Sequence, residues 1–267
     1  MSFQQFAAAH GLIIDNVLLD RWVRCPTTDK PHKRNGSYIF DGRQGAVKNW
    51  ALHEKAIPYF DNNVAITPLM TRKSQMQEEK TVARRKKAAD KAAWILSSRV
   101  KSTHPYLAAK GFPDIKGYVW NKLLVIPMRV EDSLVGCQLI DPNGSKRFLS
   151  GQRTKGASFC FDNKGPVILC EGFATALSLR RVLKNARRRY TIHVCFSAGN
   201  VKHMAKKYPD CVIVADHDKV GIRVAKESGR PFWVSPNLGE DFNDYENRVG
   251  AVLAGRSLTA LGLVEAE

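Results

Sequence analysis

The feature that most restricts the fold is a pair of short apolar runs that each stop abruptly in carboxylates. Val167-Ile168-Leu169-Cys170 ends in Glu171-Gly172, and Cys211-Val212-Ile213-Val214-Ala215 ends in Asp216-His217-Asp218. A continuous apolar run bounded by turn residues is the pattern of a strand buried on both faces, which implies a parallel sheet covered by helices. Open sheets of this kind bind ligands beyond the carboxyl ends of their strands. One Glu from one strand and two Asp, at i and i+2, from its neighbour would converge there on a divalent cation. Magnesium prefers that donor set, a few carboxylate oxygens with the remaining positions left to water and phosphate.

The same alternation continues from Pro166 to the end of the chain. Strand patterns fall over 167–170, 191–196, 211–215 and 232–235, and helical patterns over 173–186, 201–208, 221–228 and 241–254. Strand and helix in strict alternation predict a four-stranded, mostly parallel sheet flanked by helices, with right-handed crossovers. Ahead of it, strand patterns over 123–130, 134–140 and 146–149 are separated by Glu131-Asp132-Ser133 and Asp141-Pro142-Asn143-Gly144. Loops this short make hairpins, so an antiparallel meander precedes the parallel unit.

Residues 72–100 contain no Pro or Gly and are rich in Ala, Glu, Lys, Arg and Gln, which predicts one long helix. Its run Arg84-Arg85-Lys86-Lys87 cannot lie on one helical face, because neighbours are about 100° apart. It is read either as a solvated linker or as a nucleic-acid contact. Residues 1–65 form a small β-rich module. A short amphipathic helix carrying Phe6, Leu12, Ile13, Val17 and Leu18 opens it, and strands over 36–42 and 46–50 follow. Trp22, Tyr38 and Trp50 stand among basic residues there, and serve equally as base-stacking groups or as a mini-core. The expected fold class is thus α/β, preceded by an α+β region. The expected domains are 1–65, 72–162 and 163–255, with a boundary in residues 61–72.

Charge points to the partner. The 267 residues carry 42 basic and 25 acidic side chains, a net charge of +17. The excess is +8 over residues 1–100, +5 over 101–165 and +4 over 166–267, so no tail supplies it. A polyanion, above all nucleic acid, suits such a surface. The six cysteines contain no C-x-x-C pair, so a zinc ribbon or a disulfide framework is disfavoured and buried thiols are expected. No apolar run reaches the roughly 18 residues of a membrane span, and Met1-Ser2-Phe3-Gln4-Gln5 is no signal peptide, so a cytoplasmic protein without membrane partners is expected.

Two local patterns need weighing. Gly151-Gln152-Arg153-Thr154-Lys155-Gly156-Ala157-Ser158 has P-loop glycine spacing, but Ala157 stands where the phosphate-binding lysine belongs. An ATPase site is rejected, while Arg153 and Lys155 remain candidates to reach a nucleotide phosphate. Residues 166–214 hold nine basic and two acidic side chains, after which acids concentrate at Asp216, Asp218, Glu240, Asp241, Asp244 and Glu246. Close carboxylates repel unless a cation joins them, which favours a metal site. Helix N-caps are the competing role for Asp218 and Asp241.

Glu171-Gly172 after an apolar strand, Asp216-His217-Asp218 followed by Gly221, and Gly239-Glu240-Asp241-Phe242-Asn243-Asp244 together resemble a Toprim domain. That module is shared by bacterial-type primases, type IA and II topoisomerases and certain nucleases. Glu171-Gly172-Phe173-Ala174-Thr175-Ala176, His104-Pro105-Tyr106-Leu107 and Lys146-Arg147-Phe148-Leu149-Ser150-Gly151 are similar to the primases of phages and conjugative plasmids in particular. The likeness covers residues 100–250 well and 20–50 loosely.

The resemblance implies a nucleotidyltransferase that makes short RNA primers on single-stranded DNA from ribonucleoside triphosphates, with a replicative helicase as a candidate partner, in a bacterial host cytoplasm. Glu171 would act as general base or acid near the 3′-hydroxyl. Asp216 and Asp218 would bind magnesium, or manganese in its place, with Asp241 assisting and Asn243 or Asp244 completing a second, looser site. Gly172, Gly221 and Asn243 would shape the loops. Lys146, Arg147, Arg153 and Lys155, with Arg84, Arg85 and Lys86, would meet nucleotide or nucleic acid, and Trp22 and Trp50 would stack bases.

The pattern is departed from twice. Thr175 occupies a position where many primases place a further acid, and Cys25 has no partner for the usual N-terminal zinc module. No helicase module is expected after the Toprim unit. A Toprim nuclease and a non-catalytic nucleic-acid-binding replication accessory are the alternatives. A topoisomerase is disfavoured because Tyr190 and Tyr245 are isolated.

Overall fold

The computed structural model describes residues 1–53, 55–62 and 68–264, with 68–74 described by their backbone alone. The chain divides into two compact units, Met1–Lys80 and Thr81–Glu267. Residues 63–67, within the stretch expected to hold a boundary, lie outside the described residues.

In the first unit, helix α1 (Phe3–Ala9) begins with a capping box between Ser2 and Gln5. It ends earlier than the apolar pattern suggested, because Gly11 takes a left-handed φ of 75° and turns the chain. Strands β1 (Val23–Cys25), β2 (Gly36–Phe40), β3 (Gln44–Asn49) and β4 (Ile57–Phe60) form an antiparallel sheet in that order. Its core is Phe3, Ala7, Leu12, Cys25, Tyr38, Val47 and Tyr59, with Phe3 stacked 4.2 Å from Phe40. The three aromatics read together from sequence therefore separate. Tyr38 is core, whereas Trp22 and Trp50 are 56% and 53% exposed.

Helix α2 (Pro68–Ser97) contributes residues to both units. In the second unit Ala88, Ala92, Ile95 and Leu96, one face at helical spacing, pack on Val125, Cys137, Leu139 and Leu149. The meander is larger than expected: β5 (Val100–Ser102), helix α3 (Pro105–Ala109), then β6 (Gly117–Trp120), β7 (Leu123–Val130), β8 (Ser133–Ile140) and β9 (Lys146–Phe148). The five strands are antiparallel and in sequence order. Three- and four-residue strands such as β5 and β6 bury no run of side chains and leave no apolar signature in sequence.

The third sheet contains β10 (Phe159–Asp162), β11 (Val167–Cys170), β12 (Thr191–Val194), β13 (Val212–Ala215) and β14 (Phe232–Val234), in the order β10-β12-β11-β13-β14. The last four named are parallel, as expected, and β10 is an antiparallel edge strand that sequence did not place. Helices α4 (Phe173–Asn185), α5 (Ala198–Lys207), α6 (Lys219–Ser228), α7 (Phe242–Val249) and α8 (Ala251–Arg256) cover it. The single helix expected over 241–254 breaks at Gly250, where φ is 83°. The α5 helix starts earlier than read, because Ser197 caps it by accepting from the Asn200 N–H.

One core joins the meander to the parallel sheet: Leu124, Ile126, Met128 and Ile140 lie in the same cluster as Ile168, Cys170, Ile192 and Val214. Five cysteines are buried free thiols, while Cys160 on the edge strand is exposed, contrary to expectation for a strand-like run. No helix among the described residues is long and apolar enough to cross a membrane.

Candidate active site

The order of the parallel strands sets the location. From β11 the chain crosses to β12 on one side, and β13 then lies on the other side of β11. The carboxyl ends of β11 and β13 therefore flank the topological switch point, where neighbouring crossovers diverge and leave a crevice. Cys170 pairs with Val214 across these two strands, so Glu171 and Asp216 both emerge at that crevice.

Asp216 is the electrostatic centre. Its carboxyl is pushed up to about 7, first by burial, then by Asp241, Glu171 and Asp218, with Lys146 opposing. Glu171 is raised by burial and by Asp218, while Lys146 and the Ala198 N–H at the start of α5 pull the other way. Asp216 Oδ1 is buried without a hydrogen-bond partner. Such an orphaned acceptor in a group of carboxylates is what a hard cation would satisfy.

The loops are held by backbone. His217 N–H donates to Glu240 O (3.0 Å) and Gly239 N–H to His217 O (2.8 Å), which ties the Asp216 loop to the Asp241 loop. A Cβ on Gly221 would collide with the Asp216 carbonyl oxygen, so only glycine fits there. Glu240 itself is an organiser. It accepts two bonds from Arg248 at 2.8 Å, one from Ser235 at 2.6 Å and one from Asn237 at 3.0 Å, and the Arg248 guanidinium chiefly holds its carboxyl down near 2.

Three expected ligands also cap helices. Asp218 accepts the Gly221 N–H at 2.6 Å, Asp241 accepts the Asp244 N–H at 2.9 Å, and Asp244 accepts the Asp241 N–H at 3.4 Å. Asp218 and Asp241 each keep a second carboxylate oxygen, whereas the second oxygen of Asp244 accepts from Lys110. With capping holding them in place, no three of the described His, Cys, Asp and Glu side chains stand close enough to grip an ion as they are. Asn243 is wholly buried, its amide donating to Lys110 O and to Ser178 Oγ, both at 2.9 Å, so it pins α7 to its neighbours rather than facing the crevice. Gly172 is the N-cap of α4, and the buried Thr175 hydroxyl beside it has no partner.

Sequence reasoning missed the wall of the site. A cavity of about 340 Å3 is lined by Tyr106, Lys110, Asn143, Lys146, Asp244 and Asn247, among others. The phenol of Tyr106 is buried without a partner, and burial together with Asp241 and Asp244 pushes it up to about 12. Lys110 pairs with Asp244 at 3.2 Å. The signal was the run His104-Pro105-Tyr106-Leu107: His104 Nδ1 accepts the Tyr106 N–H at 3.2 Å and so starts α3.

The basic candidates divide. Lys146 acts on the acids, whereas Arg147 follows it on the opposite face of β9, both side chains being exposed. The Arg153–Lys155 loop is tied to α5 by Gly156 N–H donating to Asn200 Oδ1 at 2.7 Å, close to the helix start that meets Glu171. Gln152 in that loop is structural, accepting from Cys137 N–H and Leu149 N–H at 3.1 Å each. Arg84 lies against Gly151, Arg85 is exposed, and Lys86 pairs with Asp90 at 3.0 Å. Trp22 and Trp50 belong to the first unit, where Arg24 and Lys48 sit 5.1 and 4.0 Å from the Trp50 ring centre.

The Toprim domain family matches residues 166–252. That stretch is a Toprim domain. Three solved structures are similar to the chain. The bacteriophage T7 lagging-strand DNA polymerase with primase domains of two gp4 subunits bound to an RNA/DNA hybrid and dTTP matches at 13% identity, over 63% of this chain and 92% of that one, with a TM-score of 0.42. The DnaG catalytic core matches at 11% identity, over 73% and 74%, with a TM-score of 0.39. The E. coli primase catalytic core matches at 13% identity, over 73% and 74%, with a TM-score of 0.38. Within the Toprim domain, β11 and β13 carry the acids, and the meander supplies Lys146 to the same crevice.

Proposed function

We propose that the protein is a primase-type nucleotidyltransferase that synthesises short RNA primers on single-stranded DNA in phage or plasmid replication. The observation that carries this reading is that Glu171, Asp218 and Asp241 act electrostatically on the buried Asp216, with Lys146 opposing them, at the switch point of a Toprim domain. The all-carboxylate donor set and the orphaned Asp216 Oδ1 suit magnesium or manganese, which Asp216 and Asp218 would hold with help from Asp241. When bound, that cation supplies charge neutralisation for the transferred phosphate and acidifies the attacking hydroxyl.

The chain's own residues do the remainder. Glu171, partly desolvated and raised, takes the proton of a primer 3′-hydroxyl and can return it to a leaving group. Lys146 neutralises negative charge on the nucleotide from strand β9 beside the acids. Residues of the adjoining cavity orient the substrate and exclude water. The ribonucleoside triphosphates, the DNA template and any replicative helicase are partners under this reading.

The test is incorporation of labelled ribonucleotides on single-stranded DNA with magnesium, comparing wild type with Glu171→Gln and Asp216→Asn. Template-dependent products that vanish in both variants support primer synthesis. DNA degradation without nucleotides would make it a nuclease, and tight DNA binding without any product an accessory protein.

A further inference from the structure

A second basic surface lies at the opposite, amino edge of the parallel sheet. Helix α4 closes with Arg187 N–H donating to Lys184 O (3.0 Å) and Arg188 N–H to Leu183 O (2.8 Å). That reversal needs a left-handed residue, and the residue is Arg187, with φ of 53°. Glycine is the usual choice because it has no Cβ to clash, whereas an L side chain is strained there. The facing turn repeats the choice, with Lys164 at φ of 54°.

Backbone hydrogen bonds tie the two turns together. Asn163 N–H donates to Tyr190 O at 2.7 Å and Thr191 N–H to Pro166 O at 2.8 Å. A Cβ on Gly165 would collide with the backbone of Arg189. Arg187 and Arg189 are exposed, and their guanidinium groups have no hydrogen bond or ion pair among the described residues. With Pro166, Arg188, Gly262 and Leu263 they line a cavity of about 280 Å3. Asp162 is the one carboxylate on the two turns, residues 162–166 and 184–190, and Lys164 already holds it at 2.7 Å.

We propose that this arginine turn is a second nucleic-acid contact, gripping backbone phosphates of a single strand that also reaches the acidic edge. The unpaired forks of Arg187 and Arg189, carried on a hydrogen-bonded turn, match phosphate geometry. Strand β11 separates Pro166 from Glu171 by about 16 Å at roughly 3.3 Å per residue, so an oligonucleotide of about 3 nucleotides is too short to span both places while a longer one can. The inference goes beyond primer synthesis and requires only that the chain binds a single strand.

The experiment is fluorescence anisotropy of the full chain with oligothymidylates of about 3 and about 30 nucleotides, bracketing a typical single-strand site size. Arg187→Gly with Arg189→Ser should weaken binding of the longer strand roughly 10–30-fold near 0.1 M salt and lower its salt slope by about 1.4, while the shorter strand is unaffected. Arg187→Gly alone should raise the unfolding midpoint by relieving the left-handed strain, and still weaken the longer strand, which separates charge loss from misfolding. Unchanged affinity for the longer strand, an equal loss for both strands, or no binding of either would overturn the proposal.

Discussion

Asp216 is placed where no carboxylate would be comfortable alone: half-buried, with one oxygen unpartnered and three other acids acting on it. Removing its charge without changing its shape should therefore stabilise the metal-free protein. Asp216→Asn is expected to raise the unfolding midpoint by roughly 2–6 °C, or about 1–2 kcal/mol, while abolishing the stabilisation that magnesium gives the wild type in the same calorimetric series. A lower midpoint for the variant would show that the carboxylate is not strained. Gly221 gives the opposite result. Gly221→Ala forces a Cβ into the Asp216 carbonyl oxygen and should cost about 2 kcal/mol or more in urea unfolding, with activity falling alongside. At this scale the sequence placed Glu171 and Asp216 at the ends of neighbouring strands, because each follows a continuous apolar run. It was opaque at Tyr106 and Lys110, which reach the site only through the path of α3 and the packing of α7.

Elements are joined by a few polar links whose loss should be measurable. Arg181 on α4 donates to both carboxylate oxygens of Glu246 on α7 and to Gly111 O at 3.0 Å, and the Glu246 side chain is 1% exposed. Arg181→Met leaves a buried uncompensated carboxylate and should destabilise by roughly 3–5 kcal/mol in chemical denaturation. On β12, His193 is buried, with Nδ1 3.0 Å from Ser158 Oγ, and its protonation is depressed first by burial and then by Lys207, against Asp162. A depressed histidine is neutral in the fold and charged when unfolded at acid pH. Its contribution is therefore complete above the ordinary value of 6.5 and is lost as pH falls through the lower folded value. Melting between pH 7 and 5 should show this decline, and His193→Gln should flatten it; an unflattened curve would assign the decline elsewhere. The parallel strands were legible because each is a continuous apolar run. Strand β10 was not, since its residues alternate half-buried and exposed on a sheet edge, and the break of the last helix was hidden in Gly250.

Across the whole molecule, charge and acid placement oppose each other: a chain of net charge +17 gathers carboxylates at one crevice of its second unit. A cation at the crevice removes that conflict and leaves a surface suited to phosphates. Binding of single-stranded DNA should fall steeply with salt, with a slope near −0.7 for each phosphate neutralised, measured by anisotropy across a salt series. Overall architecture followed from sequence because strand alternation and short loops fix connectivity. The joining of meander and parallel sheet through one core did not, since Leu124, Met128 and Ile140 read only as strand residues until Ile168 and Ile192 are seen beside them. The measurement that bears most directly on the central claim is magnesium-dependent incorporation of ribonucleotides on single-stranded DNA by wild type, Glu171→Gln and Asp216→Asn. Short templated RNA from the wild type, reduced at least about 100-fold in each variant, is the expected result. RNA made equally well by both variants would contradict it.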